Sequence, residues 1–243
     1  MNGGIIGGKN RLTSPYRSGV WKPGDTELSW AGKPFPTSGL VHHWPLTSDA
    51  NDVVGVSHFT NYNTVTFSSE GARFTAASKN YLMVTLGWGY SFAWVVDFKI
   101  ADKGRFTIGY ANNPNALLGL CFVVNESNDN KMVFAAALTT TLNSYSAITK
   151  DYEDGLWHRL LINVKGDMDN RRIATCYIDS PEPLLSVVAE NPSGASNKFA
   201  IGRRGAGADA SSALNWWGDG YARNLLGYDR ALSLSEILRV LAA

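Results

Sequence analysis

From Gly39 onward the chain reads as short apolar-rich runs broken by turn residues. The clearest runs are Leu40–Leu46, Val65–Phe67, Tyr81–Leu86, Ser91–Ile100, Arg105–Tyr110, Leu117–Val124, Met132–Leu138, Leu156–Val164, Ile173–Asp179, Leu184–Val188, Phe199–Gly202 and Tyr221–Tyr228. Between them stand Asn112-Asn113-Pro114, Asn128-Asp129-Asn130, Gly166-Asp167 and Asn191-Pro192-Ser193-Gly194. Asn, Asp, Gly and Pro favour tight reversals. Runs this short and numerous, with no helical period between them, predict an all-β domain of two antiparallel sheets packed face to face.

One run shows the alternation. Leu156, His158, Leu160, Ile162 and Val164 share one face of a strand, and Trp157, Arg159, Leu161 and Asn163 share the other. An apolar face backed by a mixed one predicts a sheet with a core on one side and partial exposure on the other. Only the C-terminus carries a good helical pattern. Ser233 and Glu236 form a capping box, with Leu232 and Ile237 in the staple positions. Leu234, Ile237, Leu238 and Leu241 follow as an apolar stripe, so a short helix is expected to close an end or edge of the sandwich.

Residues 1–38 differ. They hold Pro15, Pro23, Pro34 and Pro36, four of the chain's nine prolines, together with Gly3, Gly4, Gly7, Gly8, Gly19, Gly24 and Gly32. No period is sustained, and such a segment builds no core of its own. Ile5, Ile6, Val20, Trp21, Trp30 and Phe35 are nonetheless spread along it, which a plain linker does not need. The expectation is an extended anchoring arm docked on another subunit, able to reach on the order of 100 Å. The alternative is a tail packed back on residues 39–243, the sandwich.

Composition narrows the class. Apolar residues make up 44% of the 243, enough for a large core, and charged residues only 18%. The net charge is +1 and no long basic stretch occurs, so nucleic acid is not the expected partner. Arg171-Arg172 and Arg203-Arg204 are expected in solvated loops rather than phosphate sites. Cys121 and Cys176 lie in apolar runs, where two reduced, buried thiols are expected and a disulfide is the alternative. The first residues lack a basic n-region and a long apolar stretch, and no run approaches a membrane span.

The order of landmarks from Gly39 to Ala243 resembles the laminin-G-like, concanavalin-A-like jelly-roll superfamily. Gly39-Leu40-Val41-His42-His43-Trp44-Pro45-Leu46 with Asp49 and Asp52-Val53-Val54-Gly55 resembles its opening strand and turn. Ser91-Phe92-Ala93-Trp94-Val95-Val96 resembles the strand with a buried Trp, and Gly155-Leu156-Trp157-His158-Arg159-Leu160 the Trp-His strand. Cys176-Tyr177-Ile178-Asp179 is similar to the strand that ends in Asp-Gly, with Ser180 replacing the Gly. Phe199-Ala200-Ile201-Gly202, Trp217-Gly218-Asp219-Gly220 and Gly227-Tyr228-Asp229-Arg230-Ala231-Leu232-Ser233 follow in the expected order. The resemblance implies a two-sheet jelly-roll sandwich with a short C-terminal helix.

The arm has a resemblance of its own. Gly3-Gly4-Ile5-Ile6-Gly7, Asn10, Thr13-Ser14 and Ser18-Gly19-Val20-Trp21 resemble an N-terminal signature of tailed-bacteriophage virion proteins, departing at Lys22-Pro23. This implies a structural appendage or decoration protein, assembled in the host cytoplasm into the virion. Its expected partners are capsid or tail subunits, further copies of itself (a trimer suits a projecting appendage) and host-surface glycans. The alternative is a free-standing lectin.

Catalysis is not expected. Glycosidases of this superfamily carry Glu-x-Asp-x-x-Glu on one strand, and the chain lacks it. Asp151, Glu153 and Asp154 come nearest and read as a solvated turn. His42 and His43 are adjacent on a strand and point to opposite faces, so they do not chelate. Many relatives bind one calcium at a sheet edge, which makes Asp49, Asp52 and Asp219 the nearest candidates. Ala222 and Arg223 stand where those relatives often carry an acid, and no metal or other cofactor is expected. Sugar recognition wants exposed aromatic faces beside amides and carboxylates. Asn215, Trp216 and Asp219, with Arg203 near in the resembled layout, are the candidate glycan residues, and Trp88 is a second loop candidate. Trp217 is expected in the core.

Overall fold

The computed structural model describes residues 35–87, 89, 91–100, 105–111, 119–124, 131–137, 144–149, 152–166, 171–190, 198–203 and 217–242. Ile5, Ile6, Val20, Trp21 and Trp30 of the arm, and the loop residues Trp88, Asn215 and Trp216, lie outside the described residues. In chain order the elements are β1 (Leu40–Trp44), β2 (Thr60–Tyr62), β3 (Thr66–Ser68), β4 (Gly71–Phe74), β5 (Tyr81–Thr85), β6 (Phe92–Lys99), β7 (Phe106–Ala111) and β8 (Gly119–Val124). There follow β9 (Lys131–Ala137), β10 (Ser144–Thr149), β11 (Trp157–Gly166), β12 (Arg171–Ile178), β13 (Leu185–Glu190), β14 (Lys198–Ile201), β15 (Gly220–Tyr228) and α1 (Leu234–Ala242).

The strands form two antiparallel sheets, as the run pattern predicts. The first has the order β13-β12-β11-β6-β15-β4-β3, and the second β10-β9-β8-β7-β14-β5-β2. β15 is long enough to pair β4 through Gly220–Ala222 and β1 through Leu225–Tyr228. Three strands were not legible as runs. β2, Thr-Asn-Tyr, and β4, Gly-Ala-Arg-Phe, are too short for a period, and β10, Ser-Tyr-Ser-Ala-Ile-Thr, is mostly small and polar. Each owes its extended backbone to a neighbour: β5, β15 and β9 respectively.

Between the sheets lies an aromatic core. Trp44, Phe59, Phe92, Trp94, Phe98, Phe106, Phe122 and Phe199 are buried there with Leu160, Ile162, Val164 and Cys176. Trp94 packs against Phe199 with ring centroids 4.6 Å apart, and Trp44 against Phe59 at 4.8 Å. Each such side chain stabilises the fold by roughly 1.5–3 kcal/mol through burial alone. Cys176 is a free thiol, and burial pushes it well above the usual cysteine range.

The outer face of the first sheet corrects two expectations. It is not left open, and α1 does not close an end or edge. Ala93, Val95, Leu161, Leu226 and Tyr228 form a second apolar cluster there with Ile237, Val240 and Leu241 of α1. The helix therefore lies on the face of the sheet. Its predicted cap is present: the Ser233 N–H donates to Glu236 Oε2 at 2.9 Å, and Leu232 and Ile237 are buried. The predicted stripe is rotated, however. Ile237, Val240 and Leu241 face the sheet, while Leu234 and Leu238 are 65% and 46% exposed. Asn163 sets this phase at the entry by pairing its amide with both the N–H and C=O of Leu232. Arg159 sets it at the exit by donating to the Val240 carbonyl at 2.9 Å.

Beyond the helix the same face turns ionic. Arg159, 2% exposed, grips both Asp97 oxygens at 2.7 and 3.1 Å, and Asn224 donates to the same carboxylate at 3.1 Å. A bulge at Asn224 resets the alternation of β15, so Ala222 and Leu225 both reach the core while Arg223 and Leu226 face outward. The last row, Trp157, Lys99, Tyr221 and Arg73, alternates rings and cations across β11, β6, β15 and β4. Lys99 stands 5.3 Å from the Trp157 ring and 4.8 Å from Tyr221, and Arg73 4.7 Å from Tyr221.

His158 is held by two carboxylates, one remote in sequence and one four residues before it. Its Nδ1 meets Asp179 at 2.7 Å and its Nε2 meets Asp154 at 2.9 Å. The Asp154 turn, expected merely to be solvated, thus latches β11. Asp179 adopts a left-handed backbone (φ 54°), which the usual Gly after it in the resembled motif does not supply here, and its second oxygen accepts the Arg159 N–H. Burial alone would lower the His158 pKa, but the Asp179 and Asp154 contacts outweigh it and raise it above 6.5. A raised folded-state value means the imidazolium contributes stability in full below pH 6.5 and loses it as pH climbs through the raised value. In thermal melts from pH 5.5 to 9, the wild type is expected to exceed His158→Gln most at the acid end, with the gap narrowing upward. A gap that is flat or widens with pH contradicts the latch.

Candidate functional site

Arg203, expected in a solvated loop, is 8% exposed. Its placement starts at Gly202, whose φ is +88° and whose absent side chain leaves room for Phe74; a Cβ there would run into the Phe74 ring. The Gly202 N–H donates to the Thr107 carbonyl at 2.8 Å, and its own carbonyl accepts from Gly218 at 2.7 Å. A Cβ on Gly218 would come within 3.0 Å of the Gly202 Cα. Two glycines thus let the end of β14 and the segment entering β15 touch backbone to backbone. They bring Arg203 and Trp217 together as a β-bridge.

The Arg203 guanidinium lies 5.2 Å from the Tyr81 ring centre and 5.1 Å from that of Trp217. Tyr81 and Trp217 are themselves 5.8 Å apart. On the far side of Tyr81, Tyr62 stacks parallel to it, centroids 4.6 Å apart and 1° from coplanar. The pair forms because Tyr62 and Tyr81 face each other across β2 and β5. Tyr62 is held firmly by its neighbours. Asn61 exchanges two hydrogen bonds with the Val65 backbone, and the Asn63 amide donates to the Lys79 carbonyl at 2.9 Å. Trp217 is therefore buried, as expected, but outside the core between the sheets.

This aromatic row lies on the outer face of the second sheet. Thr60, Met83, Thr85 and Lys198 share that face by register, with Thr60 and Thr85 exposed. Nε1 of Trp217 and Oγ1 of Thr107 are buried there without a hydrogen-bond partner among the described residues. The stem Arg203–Trp217 brackets residues 204–216, which carry the candidates Asn215 and Trp216. Tyr62 and Tyr81 were not singled out from the sequence, because their pairing depends on a strand too short to read.

Asp219 parts company with Arg203. Its backbone pairs with Arg105 and its carboxylate turns to Arg73 at 3.3 Å, joining the cation–ring row of the first sheet. The three candidate calcium ligands are not brought together either. Asp49 accepts from the Asn51 N–H. Asp52 accepts from the N–H groups of His43, Val54 and Gly55 and from His42. Burial would raise its carboxyl, but the His43, Gly55 and His42 bonds outweigh that and lower it. Asp52 is thus the organiser of its turn. Among the described residues, no three His, Cys, Asp or Glu side chains converge as metal ligands. No described helix is long and apolar enough to cross a membrane.

These elements define a two-sheet antiparallel β-sandwich with a helix on one outer face. No protein-family model matches the chain, and no curated protein matches it. Solved structures do. Domain 4 of AbnA, an extracellular GH43 arabinanase of Geobacillus stearothermophilus solved with arabinotriose, aligns at TM-score 0.60 and 16% identity over 84% of this chain and 98% of its own. Trypanosoma rangeli sialidase in complex with sialic acid aligns at TM-score 0.59 and 18% identity over 86% of this chain, which spans 34% of the sialidase. The binding domain of botulinum neurotoxin serotype C1 aligns at TM-score 0.56 and 13% identity over 84% of this chain and 51% of its own. The shared property is the β-sandwich fold.

Gly202 carries the geometry of the row. Gly202→Ala is expected to cost roughly 2–4 kcal/mol, from overpacking against Phe74 plus a left-handed backbone. A urea melt measures it, and an unchanged midpoint would show that the stem does not depend on this glycine.

Proposed function

We propose that this chain is a carbohydrate-binding module that acts by adhesion and not by turnover. The observation that carries the reading is the Tyr62–Tyr81 ring pair, backed by Arg203 and Trp217, on the outer face of the second sheet. A stacked tyrosine two residues along β2 from the exposed Thr60 offers a sugar an apolar ring face and a hydrogen-bonding hydroxyl together. Asn215 and Trp216, carried between Arg203 and Trp217, are proposed to complete the site. The sandwich fold supports the reading, since it is shared with an arabinanase domain solved with arabinotriose. Binding without catalysis is supported by how the carboxylates are used: Asp97 by Arg159, Asp179 and Asp154 by His158, Glu236 by Arg230.

The finer reading is an appendage of a tailed-phage virion. Residues 1–38 anchor it to capsid or tail subunits, and the sandwich meets glycans of the host surface. What supports this is the sequence of the arm, with its glycines, prolines and tryptophans and its resemblance to virion proteins. Many copies on a symmetric particle turn weak single contacts into strong avidity. A glycan array probed with the full chain is expected to show selective binding that falls about tenfold in Tyr62→Ala, the loss of one stacked ring. Array binding that is absent, or indifferent to Tyr62, defeats the carbohydrate reading. Deleting Met1–Trp21 is expected to abolish incorporation into particles while leaving the sandwich melt unchanged. Normal incorporation removes the arm from this role.

A further inference from the structure

α1 turns Ile237, Val240 and Leu241 to the first sheet and leaves Leu234 and Leu238 outward, 65% and 46% exposed. Four residues apart, the two leucines stand one above the other, about 6 Å apart along the helix axis. Ser233, Ser235, Arg239 and Ala242 around them are exposed as well.

The path of the chain supplies an occupant for this stripe. Gly39, at φ +73°, passes so close to Arg230 that a Cβ would meet its Nε at 2.7 Å. The Asp229 N–H donates to the Gly39 carbonyl at 2.9 Å. Arg230, paired with Glu236 in the first turn of α1, also donates to the Ser38 carbonyl at 2.7 Å. Pro36 is buried, and Phe35 packs on the α1 cluster with its ring 5.5 Å from the Arg159 guanidinium. That guanidinium holds the Val240 carbonyl in the last turn. From residue 38 back to 35, the chain therefore follows α1 from its first turn to its last. Residues 1–34 join the sandwich at the C-terminal end of this helix.

What precedes Phe35 matches what α1 exposes. The sequence is Glu27-Leu28-Ser29-Trp30-Ala31-Gly32-Lys33-Pro34. Gly32 and Pro34 suit a reversal of the chain. The five steps from Phe35 back to Trp30 reach up to about 17 Å. The nine-residue helix is only about 13 Å long. In an extended stretch Leu28 and Trp30 fall on one side about 6.6 Å apart, close to the spacing of Leu234 and Leu238.

Magnitude favours this occupant over a separate molecule. A stable interface between two proteins buries roughly 800 Å² on each, far more than two leucines offer. A tethered segment acts at an effective concentration in the millimolar range, so a small contact can hold it.

We propose that the arm folds back on α1 just before it enters the sandwich, with Trp30 over Leu238 and Leu28 over Leu234. The arm is thereby divided. Residues 1–21 keep the anchoring role proposed above, and the stretch nearest the sandwich straps the helix to its sheet. This inference does not depend on the carbohydrate reading.

Thermal melts of the full chain carrying Leu238→Ala, Trp30→Ala or both test it. On an uncovered helix Leu238→Ala is neutral or slightly stabilising, because Ala is the better helix former. On an undocked arm Trp30→Ala changes nothing. The strap instead predicts that each lowers the midpoint by about 2–5 °C. The double variant is expected to lose clearly less than the sum of the two, since either change alone removes the same contact. The midpoints are expected not to vary with protein concentration. Unchanged midpoints, or losses that add, overturn the proposal. Midpoints that rise with protein concentration give the stripe to a second copy and overturn it too. Particle incorporation of the Met1–Trp21 deletion reads the anchoring role separately.

Discussion

Everything in this sandwich depends on a sheet that must hide both of its faces. β6 and β11 lie at the middle of the first sheet, and their residues are buried toward the second sheet and toward α1 alike. An ordinary sandwich sheet presents its polar face to water, and this one cannot. The solution is graded along the strands. Apolar residues meet the helix, the Arg159–Asp97 pair lies next, and alternating rings and cations occupy the far end. The buried pair is not a source of stability by itself, since desolvation cancels much of its attraction. Its value is positional. Arg159 also donates to the Val240 carbonyl in the last turn of α1, so the charge that the sheet must bury also ties down the end of the helix.

The second sheet has the opposite problem. Among the described residues no helix lies on its outer face, which carries the rings of Tyr62, Tyr81 and Trp217. Backbone geometry decides what those rings can do. Gly202 and Gly218 permit a close backbone contact, and that contact sets Arg203 beside the rings of Tyr81 and Trp217. Tyr62 lies between Asn61 and Asn63, whose side chains tie its turn to the Val65 and Lys79 backbone. In the proposed adhesive role, such pre-oriented groups lose little entropy on binding.

Sequence and structure part at identifiable places. The capping box of Ser233 and Glu236 was legible because it is local: the Glu236 carboxylate accepts from both the N–H and the hydroxyl of Ser233, three residues before it. So was the inward alternation of Leu160, Ile162 and Val164, since a strand's faces follow from its period alone. The helix phase was not legible. Leu234 and Leu238 match a stripe as well as Val240 does, and Asn163 and Arg159 choose between them from 69 and 81 residues away. The Asp179 partner of His158 and the role of Asp52 were hidden likewise, one by sequence distance and the other because a turn-forming aspartate and a metal ligand look alike in sequence.

By itself, then, the sequence determined the all-β class, the two-faced strands and the capped C-terminal helix. These are matters of period, propensity and composition, which act between near neighbours. Only the tertiary structure decided that the first sheet is covered on both faces and that Asp219 and Arg203 serve different sheets. It alone revealed that Tyr62 and Tyr81 stack beside a guanidinium. Those outcomes depend on which strands become neighbours, and strand order is set by how buried surface is shared across the whole chain.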